Sequence, residues 1–171
     1  MFEDLMLLNA AYPSVGISIA LILGLLIGSF LNVVVYRLPV MIERDWQSQA
    51  KQILEIEDTT EAETFNLVLP NSRCPSCNRP IRPWENIPVI SYLMLGAKCA
   101  GCRTPISIRY PLVEALTGLL TVVVVIHYGL TPTAIALAFL TFGLIALSLI
   151  DYDTKLLPDD ITLPLLWLGL V

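Results

Sequence analysis

The sequence predicts an all-α polytopic membrane protein whose helices are interrupted by one long, cysteine-containing loop. Three observations predict this class. Of the 171 residues, 56% are hydrophobic, which is above the share usual in soluble domains. Several apolar runs have about the 20 residues that a helix needs to cross a bilayer. Almost all basic residues lie in a single loop, a charge distribution typical of membrane proteins.

The apolar runs define the expected spans. Three of them, Gly16–Val35, Leu112–Tyr128 and Thr133–Ile150, predict complete transmembrane helices. A fourth run begins near Ile161 and is still apolar at Val171, but about eleven residues are too few to cross ~30 Å of hydrocarbon. We therefore expect three complete transmembrane helices plus the start of a fourth, and a chain that is the N-terminal part of a longer protein.

The basic residues predict the topology. Nine of the ten Lys and Arg lie in the loop from Arg37 to Arg109, and the tenth is Lys155. Because basic loops stay in the cytoplasm, we expect this loop and the segment Asp151–Asp160 on the cytoplasmic face. Two spans separate the two segments, so they share a face in either orientation.

The first span carries two packing signals. Gly24 and Gly28 form a small-xxx-small pair that lets another helix approach closely. Asn32 is a polar residue near the end of the span and is expected to form a hydrogen bond across helices. Tyr36 and Arg37 follow as expected anchors at the membrane interface.

The loop begins with a segment, Val40–Ile56, whose rough helical periodicity predicts an amphipathic helix on the membrane surface or on the loop's own core. An acidic stretch follows, which predicts a solvated linker. Its acids are Glu55, Glu57, Asp58, Glu61 and Glu63. Further along, the apolar run Val89–Leu95 is compatible with a strand or with a segment against the membrane.

All four cysteines of the chain occur in two Cys-x-x-Cys pairs separated by 21 residues. They are Cys74, Cys77, Cys99 and Cys102. Two such turns supply four thiolates at tetrahedral spacing, which predicts a closed structural zinc site. Two disulfides or four free thiols are the alternatives, and a reducing cytoplasm weighs against disulfides. The fold class is thus a helical membrane protein with a zinc-binding cytoplasmic loop.

Asp151 stands at the end of an apolar run, where an ionisable side chain is costly and is therefore a functional candidate. The alternative is that it only ends the helix in water. For Glu114 we favour a helix-capping role near the start of the second span, with a second membrane-edge acid facing Asp151 as the alternative. Asp153, Asp159 and Asp160 are interpreted as capping and solvated charge.

Five short sequence motifs are distributed along the chain. They are Gly28-Ser29-Phe30-Leu31-Asn32-Val33 with Tyr36-Arg37-Leu38-Pro39, the two cysteine pairs, Glu85-Asn86-Ile87-Pro88, Arg109-Tyr110-Pro111-Leu112-Val113-Glu114, and Ile150-Asp151 with Leu157-Pro158-Asp159. This set resembles the type IV prepilin peptidase family, the bifunctional leader peptidases and N-methyltransferases of the bacterial inner membrane. The resemblance covers essentially the whole chain.

The resemblance implies an aspartic endopeptidase that cleaves type IV prepilins and pseudopilins at the cytoplasmic membrane edge. The family's first catalytic aspartate maps to Asp151, and its second lies in a Gly-x-Gly-Asp motif that this chain lacks. Asp159 belongs to the family motif and is a candidate for a supporting role. Such a protease needs two carboxylates that share a proton, so we expect this chain alone to be incomplete.

The methyltransferase half implies S-adenosylmethionine as methyl donor. No Gly-x-Gly-x-x-Gly motif is present, so the sequence assigns no cofactor site. Gly96-Ala97 precedes Lys98-Cys99, where the family often has Arg-Gly. The resemblance implies three regions. Residues 1–38 form the N-terminal segment and the first span, residues 39–110 form the methyltransferase-associated loop, and residues 111–171 form the start of the peptidase domain.

The expected partners are the lipid bilayer and the prepilin substrates, with no nucleic acid. Two other classes stay open. One is a non-enzymatic membrane-anchored module whose zinc site binds a partner. The other is a transporter fragment with Asp151 on an ion path, which an acid at mid-depth would fit better.

Overall fold

A computed structural model of the chain describes residues 12–56 and 64–170. Within these ranges it contains five α-helices and one 3₁₀ turn, Pro83–Asn86, with no β-strand. The helices are α1 Pro13–Ile53, α2 Ile90–Met94, α3 Arg109–Tyr128, α4 Pro132–Thr154 and α5 Asp159–Leu170. Three of them, α1, α3 and α4, are long and apolar enough to cross a membrane. The helical membrane fold is confirmed, whereas most of the predicted acidic linker lies outside the described residues.

The first helix is longer than the sequence predicts. The helix predicted for Val40–Ile56 is present as far as Ile53, but it is the continuation of the first span, because α1 runs without interruption through Pro39. A proline removes one backbone hydrogen bond and usually ends or bends a helix. Here Leu38 and Pro39 are buried, and their packing holds the helical conformation. At 1.5 Å per residue, α1 extends about 24 Å beyond Arg37.

Close packing of α1 against α3 rests on the two predicted glycines. A Cβ atom at Gly24 would lie 2.8 Å from the Cα of Gly118, and one at Gly28 would lie 2.7 Å from the Cα of Glu114. Real Cβ atoms do not approach backbone that closely, so only glycine allows this contact. The predicted role of the glycine pair in helix packing is confirmed. The predicted cross-helix hydrogen bond of Asn32 is confirmed as well, because its side-chain amide donates to the carbonyl of Tyr110 at 3.2 Å.

The ends of α4 are set by local chemistry. The Thr131 hydroxyl accepts a hydrogen bond from the backbone N–H of Ala134, and Pro132 occupies the first turn, where its missing N–H costs nothing. At the other end Lys155 adopts a left-handed conformation with φ 59° and donates its N–H to the carbonyl of Asp151. The chain then leaves the helix and α5 starts at Asp159, directly after Pro158.

The buried core lies at the end of the bundle from which the long loop leaves, called the loop face below. Its members come from α1, α3 and α4: Leu31, Val34, Val35, Leu38, Val113, Ile145, Ala146 and Ile150. Many other apolar side chains of the three long helices are exposed, as expected of surfaces that contact lipid. The core therefore stabilises the loop face, where α4 ends.

Candidate active site and metal centre

Asp151 lies in the last turn of α4, directly after Ile150, whose side chain is completely buried. Its own side chain is half-buried. Among the described residues no hydrogen bond or ion pair involves its carboxylate, while its backbone carbonyl is fixed by the Lys155 cap. The backbone at Asp151 is thus held rigidly, and both carboxylate oxygens stay available to other groups.

Asp153 is exposed, as expected of a solvated charge, but it also forms an ion pair that the sequence did not predict. Both of its oxygens accept hydrogen bonds from the guanidinium of Arg109, at 2.8 and 2.7 Å. Such a two-point pair fixes geometry better than a single contact does. It joins the start of α3 to the end of α4. Because successive residues of a helix are rotated by about 100°, Asp151, two positions earlier, faces a different side of α4 from the pair.

The remaining two acids near Asp151, Asp159 and Asp160, agree with their interpretation as helix-capping and solvated charges. Asp159 and Asp160 occupy the first turn of α5, where carboxylates are stabilised by the helix dipole. Both are exposed. They lie on a separate helix from Asp151, and the turn at Pro158 separates the two helices in sequence.

Glu114 has a role that the sequence did not predict. The helix starts at Arg109 and has no acidic residue in its first turn, so the expected capping role is wrong. The side chain is buried, and its Oε2 accepts a hydrogen bond of 2.7 Å from the backbone N–H of Val89 in the long loop. The carboxylate therefore fastens the loop to the helix bundle, and the alternative of a contact with Asp151 is not observed.

Val89, which donates this hydrogen bond, has an unusual backbone conformation. Its φ of 59° lies in the left-handed region that β-branched residues avoid. Strain of this kind persists only where surrounding contacts hold the residue. The Glu114 hydrogen bond is one such contact.

The four predicted cysteines come together. Their Sγ atoms all lie within 4.8 Å of one another, and none forms a disulfide. Cys74 is buried and Cys77 and Cys102 are exposed, so the cluster lies near the surface of the loop. Four convergent sulfur donors fit a tetrahedral soft metal ion, and the cluster could hold one.

The two Cys-x-x-Cys turns have the same backbone design. In each, the first cysteine donates its N–H across the turn, from Cys74 to the carbonyl of Arg79 and from Cys99 to that of Thr104. The residue four positions after that cysteine has a positive φ, 56° at Asn78 and 62° at Arg103. Repetition of one turn geometry is what directs all four sulfurs to a common point.

The pKa values of Cys77, Cys99 and Cys102 are shifted from the usual value of a thiol. Hydrogen bonds from the hydroxyl and backbone of Thr104 lower the pKa of Cys102 to about 6. The pKa of Cys99 is lowered by backbone hydrogen bonds from Cys102 and Gly101. A backbone hydrogen bond at Arg79 lowers the pKa of Cys77, but desolvation and the neighbouring thiols outweigh it and raise the pKa to about 11.

A salt bridge supports the first turn from outside. Arg79 donates to Glu85 at 2.8 Å, and this hydrogen bond keeps the pKa of the Glu85 carboxyl below its usual value. The same carboxylate accepts the backbone N–H of Arg82 at 3.1 Å. Glu85, part of the Glu-Asn-Ile-Pro motif, thus connects the cysteine cluster to the 3₁₀ turn.

Two family models match the chain. The model described as the bacterial peptidase A24 N-terminal domain matches residues 22–128, and that of the type IV leader peptidase family matches residues 138–171. Together they cover both the cysteine cluster and Asp151.

Curated proteins named prepilin leader peptidase/N-methyltransferase are similar over most of the chain. The protein from Pseudomonas aeruginosa is 55% identical over 162 residues, which are 95% of this chain and 56% of that protein. The protein from Neisseria gonorrhoeae is 54% identical over 156 residues, 91% and 54% of the two chains. The one from Aeromonas hydrophila is 48% identical over 160 residues, 93% and 55%. The chain spans about half the length of these relatives, and no solved structure matches it.

Proposed function

Because this chain belongs to the bacterial peptidase A24 family, we propose that it forms part of a membrane aspartic endopeptidase. In this proposal the enzyme removes the leader from type IV prepilins and pseudopilins at the cytoplasmic membrane face, and N-methylates the new N-terminal residue with S-adenosylmethionine. The protein resides in the bacterial inner membrane with its basic loop in the cytoplasm. The names of the relatives and the concentration of basic residues in that loop support the proposal.

The observation that carries the proposal is the geometry of Asp151. Its backbone is fixed by the buried Ile150 and by the Lys155 cap, and its carboxylate has no bonded partner among the described residues. A catalytic acid requires a rigid backbone together with an available carboxylate. Asp151 is the acid at this end of α4 that meets both requirements.

Asp151 supplies one half of the chemistry. In an aspartic protease one carboxylate takes a proton from the attacking water while the other, protonated, hydrogen-bonds to the scissile carbonyl. Asp153 is paired with Arg109 and is therefore not available as the second catalytic carboxylate. Asp159 and Asp160 lie at the start of another helix. We therefore assign the second catalytic carboxylate to the part of the relatives that this chain does not span.

We assign the cysteine cluster to a structural zinc ion bound by Cys74, Cys77, Cys99 and Cys102. When bound, zinc would cross-link the two turns of the loop and leave no open coordination position for catalysis. The donor set and its convergence within 4.8 Å support this assignment.

The test uses the full-length gene product in membrane vesicles, incubated with a prepilin and S-adenosylmethionine. Mass spectrometry of the pilin is expected to show loss of the leader plus one methyl group. Cleavage without methylation would refute the methyltransferase half and direct attention to Gly96-Ala97. An uncut prepilin would refute the peptidase assignment and favour the non-enzymatic zinc-binding module.

A further inference from the structure

Contacts between α1 and α3 locate the membrane boundary on the loop face. Asn32 binds the carbonyl of Tyr110, so the first turn of α3 is level with the end of the apolar part of α1. Tyr36, whose side chain is 70% exposed, follows about 6 Å further on. Arg37, predicted as a second interface anchor, is instead buried and donates to the carbonyls of Asn66 and Pro70. Basic and aromatic residues mark the headgroup region of a bilayer. The start of α3 therefore lies at the boundary between hydrocarbon and headgroups.

The hydrogen bond between Glu114 and Val89 sets the depth of one loop segment. Glu114 is five residues into α3, or about 8 Å below its start. Helical side chains lean toward the N-terminus, so its carboxylate reaches back toward the boundary. Val89, held there at 2.7 Å, must lie at the same depth. The long loop thus returns to the membrane surface at this turn.

The residues around Val89 expose a set of large apolar side chains. Their exposed fractions are Trp84 62%, Ile87 42%, Ile90 54%, Leu93 71% and Met94 81%. An exposed apolar patch of this kind marks an interaction site. In a membrane, the depth fixed by Glu114 corresponds to the bilayer interface.

The charges around this segment suit a lipid surface. Glu85, the acid within it, is paired with Arg79 at 2.8 Å. The guanidinium of Arg82 stacks over the ring of Trp84 at 5.4 Å, and tryptophan is enriched at the headgroup level of membranes. Basic side chains close to the membrane are attracted to anionic lipids.

We propose that residues 84–94, the 3₁₀ turn and α2, form an interfacial anchor that inserts Trp84, Leu93 and Met94 into the headgroup region of the bilayer. The partner is an anionic lipid surface. The anchor would hold the cysteine cluster close to the membrane edge at which α4 ends. This inference is independent of the peptidase assignment.

Tryptophan fluorescence tests the proposal, because the chain has three tryptophans, Trp46, Trp84 and Trp167. In the full-length protein any tryptophans beyond this chain are first replaced by phenylalanine. One variant then keeps Trp84 (W46F/W167F), and its matched control keeps Trp46 (W84F/W167F), on the extension of α1 beyond Arg37. Both are reconstituted in vesicles of phosphatidylcholine with phosphatidylglycerol, and lipids brominated at shallow and deep acyl positions serve as quenchers.

We expect shallow brominated lipid to quench Trp84 several-fold more strongly than Trp46, and aqueous acrylamide to show the opposite order. Equal acrylamide quenching of the two would place Trp84 in water and overturn the proposal. Protection of Trp84 from both quenchers would also overturn it, by showing that protein covers the segment. In the Trp84 variant, Leu93→Asp is expected to at least halve the lipid quenching, whereas Ile53→Asp, at an exposed apolar position at the end of α1, leaves it unchanged.

Discussion

Replacing Glu114 by alanine is expected to release the long loop from the helix bundle. The carboxylate is buried and accepts the N–H of Val89 at 2.7 Å. Without it, the donor at Val89 has no partner at a site that excludes most water. Residues 87–95 should then open locally more often, while the helices stay folded.

The size of the effect follows from the cost of an unsatisfied buried donor, about 1–3 kcal/mol. A free-energy change of that size corresponds to a change of about 5- to 150-fold in an opening equilibrium. The strained φ at Val89, which costs about 1–3 kcal/mol while it is held, favours opening equally in both proteins and therefore does not add to this change. Glu114→Gln keeps an acceptor oxygen and is expected to give a much smaller change.

Hydrogen–deuterium exchange of the full-length protein in lipid nanodiscs measures this opening. Peptides covering residues 87–95 are expected to exchange faster in Glu114→Ala by the stated factor, with Glu114→Gln between that variant and the unmodified protein. Peptides covering residues 145–150 in the core of α4 are the internal control and should not change. Unchanged exchange at residues 87–95 in a folded Glu114→Ala protein would refute the role given to this hydrogen bond.

Three further predictions concern the packing, the ion pair and the metal. Gly28→Leu is expected to lower the free energy of unfolding in detergent micelles by at least about 1–3 kcal/mol, because even a Cβ there meets α3 backbone at 2.7 Å. Arg109→Gln and Asp153→Asn should each cost about 0.5–1 kcal/mol, and the double variant no more than either, since both remove one pair. Cys74→Ser should reduce the zinc content of the purified protein, measured by mass spectrometry, from about one ion per chain to well below half.

Each of these predictions has a matched control. Gly169→Leu lies where nothing approaches within 4 Å, and equal destabilisation at Gly28 and Gly169 would contradict the close-packing argument. Additive losses in the Arg109 and Asp153 variants would show that the two residues act separately. Ser76→Ala, in the same turn as Cys74, should retain the metal, and full zinc content in Cys74→Ser would disprove the four-sulfur site.

Local patterns in the sequence predicted much of this structure. Hydropathy identified the three spans because length and apolarity are properties of a single segment. Gly24 and Gly28 predicted a close helix contact from their spacing, and Asn32 predicted a hydrogen bond across helices. The two Cys-x-x-Cys pairs predicted a convergent cluster, because each pair needs only a tight turn to direct two sulfurs inward.

Contacts between distant residues could not be predicted in this way. Arg109 and Asp153 are 44 positions apart, and Val89 and Glu114 are 25 apart. Nothing in the local sequence distinguishes these side chains from solvated ones. The continuation of α1 through Pro39 could not be predicted from the local sequence either, because tertiary packing outweighs the helix-breaking tendency of proline.

The central claim, that Asp151 is a catalytic carboxylate, is tested most directly by the rate of leader cleavage in two full-length variants. Asp151→Asn removes the acid at the end of α4, and Asp160→Asn removes an exposed acid of α5 as the control. The account predicts that cleavage falls at least about 10²–10⁴-fold in Asp151→Asn and stays within a few-fold in Asp160→Asn. Retention of more than about a tenth of the rate by Asp151→Asn would contradict the claim.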